Sequence, residues 1–241
     1  VKGLAESIGA TAVLTSTVEK RKVPLLDDLA KQYKMNIESR DLIPKFTNAL
    51  LNGEPVVIWD RWGLNVQWPE NVRVETGVDL QFGNNEKLLL VIGYQNIPAI
   101  VPVKMQVMAL RPVCLTVGIG CCKGVNGLRV IGAVRRYFRE QNWSVKSIKQ
   151  LVSVDMYADQ NALADAGRDL GVSVIIFNVN EFPKSGSPLK IISNGPETEQ
   201  GQVAETVALL SAQQGQLIGI KRRIDQVSIA VAFSPEEKSI T

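Results

Sequence analysis

The feature that most constrains the fold is a glycine-rich stretch at residues 115–127, LTVGIGCCKGVNG. A short apolar run enters it and apolar residues at helical spacing leave it, which predicts a strand, a tight turn and a helix. The turn is predicted at Gly118, Gly120 and Gly124. Glycine allows positive φ, and the first amides of the following helix point towards any bound ligand. The turn is therefore a predicted anion site, with a packing turn as the alternative.

Neither of two common phosphate-binding loops fits this turn. A dinucleotide fingerprint requires G-x-G-x-x-G, whereas Gly118, Gly120 and Gly124 give G-x-G-x-x-x-G. A P-loop requires its lysine directly after the last glycine, whereas Lys123 precedes Gly124. The spacing therefore argues against a nucleotide site.

The composition restricts the class of protein and its chemistry. Hydrophobic residues make up 45% of the 241 residues, enough for real cores, and the longest apolar stretch, at residues 97–103, is too short to span a membrane. A net charge of +3 gives no argument for nucleic acid. Three cysteines, two of them adjacent, make no disulfide framework and indicate the reducing cytoplasm. The chain has no histidine, which excludes histidine-based nucleophile systems and histidine-ligated metals within it.

The order of predicted elements divides the chain into three parts. Residues 1–53 are predicted as a partial N-terminal α/β domain, residues 54–111 as a small middle domain and residues 112–241 as a C-terminal domain. Strands and helices alternate in the last part, which predicts a three-layer α/β/α domain with a mainly parallel sheet. Its adjacent central strands are predicted at residues 113–117, 148–154 and 172–176, and the last of these runs on to residue 179 as a strand covered on both faces. Further strands are predicted at 56–59, 88–92, 100–108, 216–220 and 227–233, and helices at 43–51, 159–170 and 203–212.

The N-terminal segment carries a second candidate site. The chain opens at Val1 without methionine, in a segment typical of a helix end, and we interpret it as a fragment whose start is missing. Thr15, Ser16 and Thr17 follow a short predicted strand, where α/β sheets usually bind ligands, with a solvated turn as the alternative. We expect these hydroxyls and the glycine turn to face one cleft between domains.

Four motifs occur in the second half of the chain in a fixed order. They are VGIGCCKG at 117–124, VSVDMYADQNALADAG at 152–167, QVAETVALLSA at 202–212 and LIGIKRRIDQVSIAVA at 217–232. Together they resemble the C-terminal domain of the cobalamin biosynthesis protein G family, the cobalt-precorrin-5A hydrolases. Upstream, IGATAVLTSTVEKRKVPLLDDLAK and IPKFTNALLNGEPVVIW resemble earlier segments of the same family.

The resemblance implies a step in anaerobic corrin ring construction. Water opens the δ-lactone of cobalt-precorrin-5A, and a two-carbon fragment leaves as acetaldehyde. The cobalt belongs to the substrate, so the resemblance implies no cofactor and no protein metal site. A small-molecule corrinoid is the expected partner; no nucleic acid or membrane partner is expected, and a homodimer is left open.

Lactone opening requires a base that activates water and a donor that holds the developing oxyanion. We predict Asp155, at the carboxyl end of a strand, and Glu205, in the first turn of a helix, as the catalytic carboxylates. A helix cap and a first-turn acid favoured by the helix dipole are the alternatives. Cys121 and Cys122 are either nucleophiles with a lowered thiol pKa or buried small side chains at a strand end. The residues predicted to bind substrate are Thr15, Ser16, Thr17, Gly118, Gly120, Cys121, Lys123, Gly124 and Lys221, the two lysines as clamps for substrate carboxylates.

Two other functions stay open. The resembling family usually shows Thr-Thr-Ala-Thr-Asp where this chain has residues 15–19, TSTVE, a basic residue where it has Cys122, and lysine where it has Tyr157. The altered Thr/Ser segment favours a non-catalytic corrinoid-binding or carrier module. A nucleotide-binding α/β protein is the other candidate, which the glycine spacing disfavours.

Overall fold

A computed structural model describes residues 23–97, 99–121, 124–178, 199–213 and 215–234. The predictions made for residues 1–22, for Cys122 and Lys123, and for residue 179 at the end of a predicted strand lie outside these ranges. The described residues form two five-stranded sheets with helices packed on them. Within these ranges no helix is both long enough and apolar enough to cross a lipid bilayer.

The first sheet lies between residues 35 and 112. In chain order its elements are α1 (Leu26–Gln32), β1 (Met35–Glu38), a 3-10 helix (Arg40–Leu42), α2 (Ile43–Asn52), β2 (Val56–Asp60), β3 (Val72–Glu75), β4 (Leu88–Ile92) and β5 (Gln106–Pro112). The strand order is β1-β5-β4-β2-β3, with β1 antiparallel to β5 and the other pairs parallel. Every residue of β2 and β4 is buried, which explains their nearly continuous apolar sequence. The sheet joins segments from both sides of residue 53.

Local sequence signals account for α2. Pro44 lies in its first turn, where backbone N–H groups have no partner within the helix, so the missing N–H of proline costs no hydrogen bond. Gly53 ends the helix in the left-handed conformation with φ of 76°. Phe46 and Leu50 are buried in the core of the first domain. The helix predicted at residues 43–51 and the strand predicted at 88–92 are confirmed.

The strand predicted at residues 100–108 is placed wrongly. β5 begins at Gln106, and the preceding residues form a turn in which the Met105 N–H donates to the Pro102 carbonyl at 2.9 Å. Val103 in this turn is fully exposed. Proline fixes φ and lacks a ladder donor, so this apolar segment turns before the strand begins.

The second sheet lies between residues 115 and 233. In chain order its elements are β6 (Leu115–Cys121), α3 (Gly127–Glu140), β7 (Ile148–Val154), α4 (Gln160–Leu170), β8 (Ser173–Phe177), α5 (Glu199–Ser211), β9 (Gln216–Ile224) and β10 (Val227–Phe233). The strand order is β8-β7-β6-β10-β9. Strands β6, β7 and β8 are parallel neighbours, and in the β9–β10 hairpin β10 runs against the other strands.

Helices cover both faces of the second sheet. α3 and α4 pack together on one face, where Val134 joins Val117 of β6 in a buried core. α5 covers the other face, where Val203 packs with Val152 of β7. The predicted three-layer α/β/α fold is confirmed, and so are the strands predicted at 148–154 and 227–233.

The strand predicted at residues 172–179 lies beside β7 as expected, but its predicted burial is wrong. In the described part of the chain β8 is an edge strand, and its residues are exposed or half-buried. Because an edge strand has a neighbour on one side, apolar side chains such as Ile175 stay partly accessible.

A buried arginine joins the two domains. Arg111 of β5 is 1% exposed, and its Nε donates to Glu38 Oε2 at 2.8 Å. Its Nη1 donates to the Gly93 carbonyl at 3.0 Å. Glu38 Oε1 in turn accepts from the Ser144 hydroxyl, which follows α3, at 3.0 Å. The buried charge is therefore neutralised and hydrogen-bonded, as a buried ion must be.

Aromatic rings fill the junction around this ion pair. Trp62 and Phe233 meet with ring centroids 5.9 Å apart, and Tyr94 and Trp143 with centroids 5.8 Å apart. Backbone bonds also cross the junction, since the Ser144 N–H donates to the Tyr94 carbonyl at 2.8 Å. The two domains are therefore packed in one defined arrangement.

Replacing Arg111 with alanine should lower the free energy of unfolding by about 3–5 kcal/mol, because Glu38 loses its buried cation. The matched control is Arg135→Ala, whose ion pair with Asp169 lies on the surface, and its effect should stay below about 1 kcal/mol. Denaturant unfolding followed by tryptophan fluorescence measures both variants. Equal, small losses in the two would contradict a structural role for the buried pair.

Candidate active site

The carboxyl ends of β6 and β7 lie side by side, because the two strands pair in parallel with Gly118 opposite Val152. α3 follows β6 and α4 follows β7, so both helices begin at this edge. In open α/β sheets this edge is where ligands bind. The term carboxyl-edge site is used below for the residues gathered there: Gly118, Gly120, Cys121, Gly124, Arg129, Asp155, Asp159, Lys221, Asp225 and Gln226.

Two of the predicted turn glycines belong to a strand. β6 continues to Cys121, and both Gly118 and Gly120 pair with β10. Of the three glycines, Gly124 has positive φ, at +86°. The prediction that the turn begins at Gly118 is therefore wrong. The prediction failed because the sequence does not distinguish a glycine that makes room for a packed helix from a glycine that forms a turn.

Gly118 is required by the packing of α5. A Cβ atom at this position would overlap the Ala204 carbonyl oxygen and would lie 3.1 Å from the Ala208 Cβ. The helix backbone thus rests directly on the strand backbone. Gly118 supports the three-layer packing, the role that the sequence left as the alternative to ligand binding.

Replacing Gly118 with alanine should lower the free energy of unfolding by about 3 kcal/mol or more, because α5 has to move away from β6. Gly132→Ala is the control: Gly132 lies inside α3, where an added Cβ atom would meet open space, so alanine should stabilise by about 0.5–1 kcal/mol. Thermal and denaturant unfolding give both values. A Gly118→Ala protein as stable as the parent would contradict the close approach of α5.

Asp159 links the glycine turn to α4, and sequence analysis did not select it as a site residue. Its Oδ2 accepts from the Gly124 N–H at 3.3 Å, and its Oδ1 caps α4 by accepting from the Ala162 N–H at 3.2 Å. Its own N–H donates to Cys121 Sγ at 3.5 Å. The N-cap signal was readable in the sequence, but the bond to Gly124 depends on the fold. One amide of the predicted anion turn is therefore engaged by a carboxylate.

Cys121 is held in the core. Its side chain is 2% exposed and belongs to the cluster that α3 covers. These surroundings are typical of a structural cysteine rather than of a reactive thiolate. The structure therefore favours the buried small side chain over the nucleophile.

Asp155 lies at the carboxyl end of β7, where the prediction placed it. It opens a short 3-10 helix, Asp155–Tyr157, and its Oδ1 accepts from the Met156 N–H at 2.8 Å. The residue is partly exposed. A carboxylate with one oxygen fixed by the backbone and with access to solvent is able to take a proton from water.

The prediction that Glu205 lies in the first turn of its helix is wrong. α5 starts earlier, so Glu205 lies in the second turn and the helix dipole has little effect on it. The pKa of Tyr137 is raised to about 12, chiefly by burial, with the charge of Arg222 lowering it and the negative charge of Glu205 adding to the rise. Ala204, the residue before Glu205, lies against Gly118 of β6, so this part of α5 covers the face of the second sheet.

Lys221 belongs to the same edge of the sheet. It lies half-buried in the carboxyl half of β9. Two residues further along, Arg223 pairs with Ser228 of β10, which in turn pairs with Gly120 of β6. One strand, β10, therefore separates the Lys221 segment from the end of β6. The structure brings together the predicted residues of β6, β7 and β9 along one edge.

A cavity of about 290 Å³ at this edge is lined by Arg129, Asp225 and Gln226. Asp225 and Gln226 form the β9–β10 turn with φ of 47° and 70°. The turn lies at the end of β6 because Val227 pairs with Cys121. Sequence analysis missed this cavity, since turns with two positive φ values usually show Asn-Gly or Asp-Gly and this turn is Asp-Gln.

Thr15, Ser16, Thr17 and Lys123 lie outside the described residues. Their predicted roles in substrate binding, and the cleft that the hydroxyls would share with the glycine turn, stay predictions.

The fold defines an α/β protein of two joined domains, with a candidate site at the carboxyl edge of the second sheet. The family model described as cobalamin biosynthesis central region matches residues 24–112, and the model described as cobalamin synthesis G C-terminus matches residues 115–232. These limits follow those of the two sheets. The chain belongs to the cobalamin biosynthesis protein G family.

The named relatives are distant. A cobalt-precorrin-5A hydrolase from Priestia megaterium is 20% identical over 239 residues, which cover 96% of this chain and 64% of that protein. A crystal structure of a cobalamin biosynthesis protein G homolog from Sulfolobus solfataricus is 19% identical with a TM-score of 0.40, covering 97% of this chain and 65% of that one. CobE, a protein from the cobalamin (vitamin B12) biosynthetic pathway, is 27% identical with a TM-score of 0.40, covering 51% of this chain and 91% of CobE. The chain spans less than two thirds of the length of the first two relatives.

Proposed function

We propose that the protein opens the δ-lactone of cobalt-precorrin-5A with water and releases acetaldehyde, giving cobalt-precorrin-5B in anaerobic corrin ring construction. The observation that carries the proposal is the match of both described domains to the family, together with the name of the relative from Priestia megaterium. In this proposal cobalt enters as part of the substrate, and the protein holds no cofactor of its own.

The proposed reaction has two bond-breaking steps. Water adds to the lactone carbonyl carbon and the ring C–O bond breaks, which gives a carboxylic acid and an alcohol. When the alcohol loses its proton, the adjacent C–C bond breaks, acetaldehyde leaves and the electron pair stays on the macrocycle, which then takes up a proton. Each step requires a proton acceptor placed beside the substrate.

Asp155 is the proposed acceptor of the proton from water, because it is a partly exposed carboxylate at the carboxyl edge with one oxygen positioned by the Met156 amide. Glu205 is the second proposed carboxylate. It lies on α5, whose Ala204 packs against Gly118 of β6, the strand beside β7. Lys123 and Lys221 are the proposed clamps for substrate carboxylates.

Replacing Asp155 with asparagine should lower kcat by about 100-fold or more, because a positioned general base typically contributes 10²–10⁴-fold. Acetaldehyde released from cobalt-precorrin-5A is measured through its reduction by alcohol dehydrogenase and NADH. The control is Asp28→Asn, in the exposed first turn of α1, which should keep the parent kcat. An unchanged kcat in Asp155→Asn would remove this carboxylate from the mechanism.

A corrinoid carrier is the second candidate function. It is favoured by the altered Thr/Ser segment at residues 15–19, TSTVE, where the family usually shows Thr-Thr-Ala-Thr-Asp. The same assay separates the two functions, because a carrier releases no acetaldehyde. Its binding of cobalt-precorrin-5A is measured through the visible absorption of the corrinoid. Binding without release of acetaldehyde would reject the hydrolase.

A further inference from the structure

A polar cleft of about 440 Å³ lies between the two domains, at the end of the second sheet opposite the carboxyl-edge site. The first residues of β7 and β8 form one wall, with Gly171 at the end of α4. Asn36 of β1 and Arg40 of the following 3-10 helix form the other wall. The cleft is therefore built by both domains, and neither domain encloses it alone.

The lining of this cleft carries positive charge. Arg40 comes from the first domain, Lys146 and Lys149 come from the second, and no aspartate or glutamate is among the described lining residues. A lining of this charge favours an anionic ligand. Asp27, which lies outside the lining, pairs with Arg40 through Nη2 at 2.5 Å and offsets its charge. The cleft thus presents the Lys146 and Lys149 ammonium groups and the paired Arg40 guanidinium group to a ligand.

The walls of the cleft are fixed in the structure. The Asn36 Nδ2 donates to the Lys146 carbonyl at 2.8 Å and so bonds one wall to the other. Two residues before Lys146, Ser144 donates to Glu38, the partner of the buried Arg111. A site whose walls are already held in place loses little ordering entropy when a ligand binds. The backbone that carries Lys146 is therefore held in place by the same contacts that join the domains.

The geometry points to a ligand with several separated carboxylates. α4 presents its carboxyl end to the cleft at Gly171, so the described lining includes no α-helix amino terminus of the kind that usually cradles a compact phosphate. Its cations stand on different segments and so suit single charges spaced along a ligand. This anion class rests on the lining alone.

Calorimetric titration with benzene hexacarboxylate tests the cleft without turnover. The parent should bind it, more weakly as salt is raised, and the double variant Lys146→Gln/Lys149→Gln should bind at least 10-fold more weakly. The control Lys45→Gln/Lys104→Gln changes the net charge equally at exposed lysines outside the cleft and should keep the parent affinity. Equal losses in the two double variants, or no binding by the parent, would overturn the inference.

Inorganic phosphate distinguishes the two anion classes in the same titration. It should bind the parent at least 10-fold more weakly than benzene hexacarboxylate, and tighter binding of phosphate would reject the carboxylate class. An unchanged melting temperature shows that the Lys146→Gln/Lys149→Gln protein is folded. If the parent binds benzene hexacarboxylate but releases no acetaldehyde from cobalt-precorrin-5A, the hydrolase proposal is rejected and the anion cleft is supported. If the parent releases acetaldehyde but does not bind benzene hexacarboxylate, only the anion cleft is rejected.

Discussion

The buried guanidinium of Arg111 is the interaction on which the arrangement of this protein depends. It lies one residue from the end of β5, and β6 of the second sheet begins at Leu115. Burying a charge costs several kcal/mol unless partners surround it, and here the partners come from β1, from the turn after β4 and, through Glu38, from the segment after α3. The ion pair therefore forms fully when both domains are folded and docked. The aromatic contacts of Trp62 and Tyr94 then add apolar area to a junction whose geometry the charge has set.

Docking of the domains has consequences at both ends of the second sheet. At the amino ends of β7 and β8 it creates the cationic cleft, whose walls are bonded by Asn36 and Lys146. At the carboxyl ends the second domain by itself builds the edge that holds Asp155, Asp159 and the cavity beside Arg129. The proposed chemistry and the proposed anion cleft thus occupy opposite ends of one sheet. A substitution at one end is expected to leave the site at the other end intact, because the two sites share no residue and the strands lie between them.

The fold was largely predictable from the sequence, and the reasons can be named. Strands such as β7 and β10 are apolar runs bounded by polar turns, and α2 carries Pro44 and Gly53 at its ends. Errors arose where the residue types of a segment suggest one conformation and the structure shows another. The apolar turn before Gln106 reads as a strand, and Gly118 reads as a turn although helix packing requires it. The exposure of β8 was also missed, since a sequence does not say which strand becomes an edge.

For the site, the sequence by itself determined the chemistry available: no histidine, a carboxylate after β7, and a glycine-rich segment before α3. It also carried the ordered motifs that match the family over residues 24–112 and 115–232. Only the tertiary structure decided which groups meet. It bonded Asp159 to Gly124, started α5 early enough to place Glu205 in its second turn, and gathered Arg40, Lys146 and Lys149 around one cleft. The reason is physical: local patterns fix backbone conformation over a few residues, whereas contacts between residues over 100 positions apart, such as Asn36 and Lys146, exist only once both domains have packed.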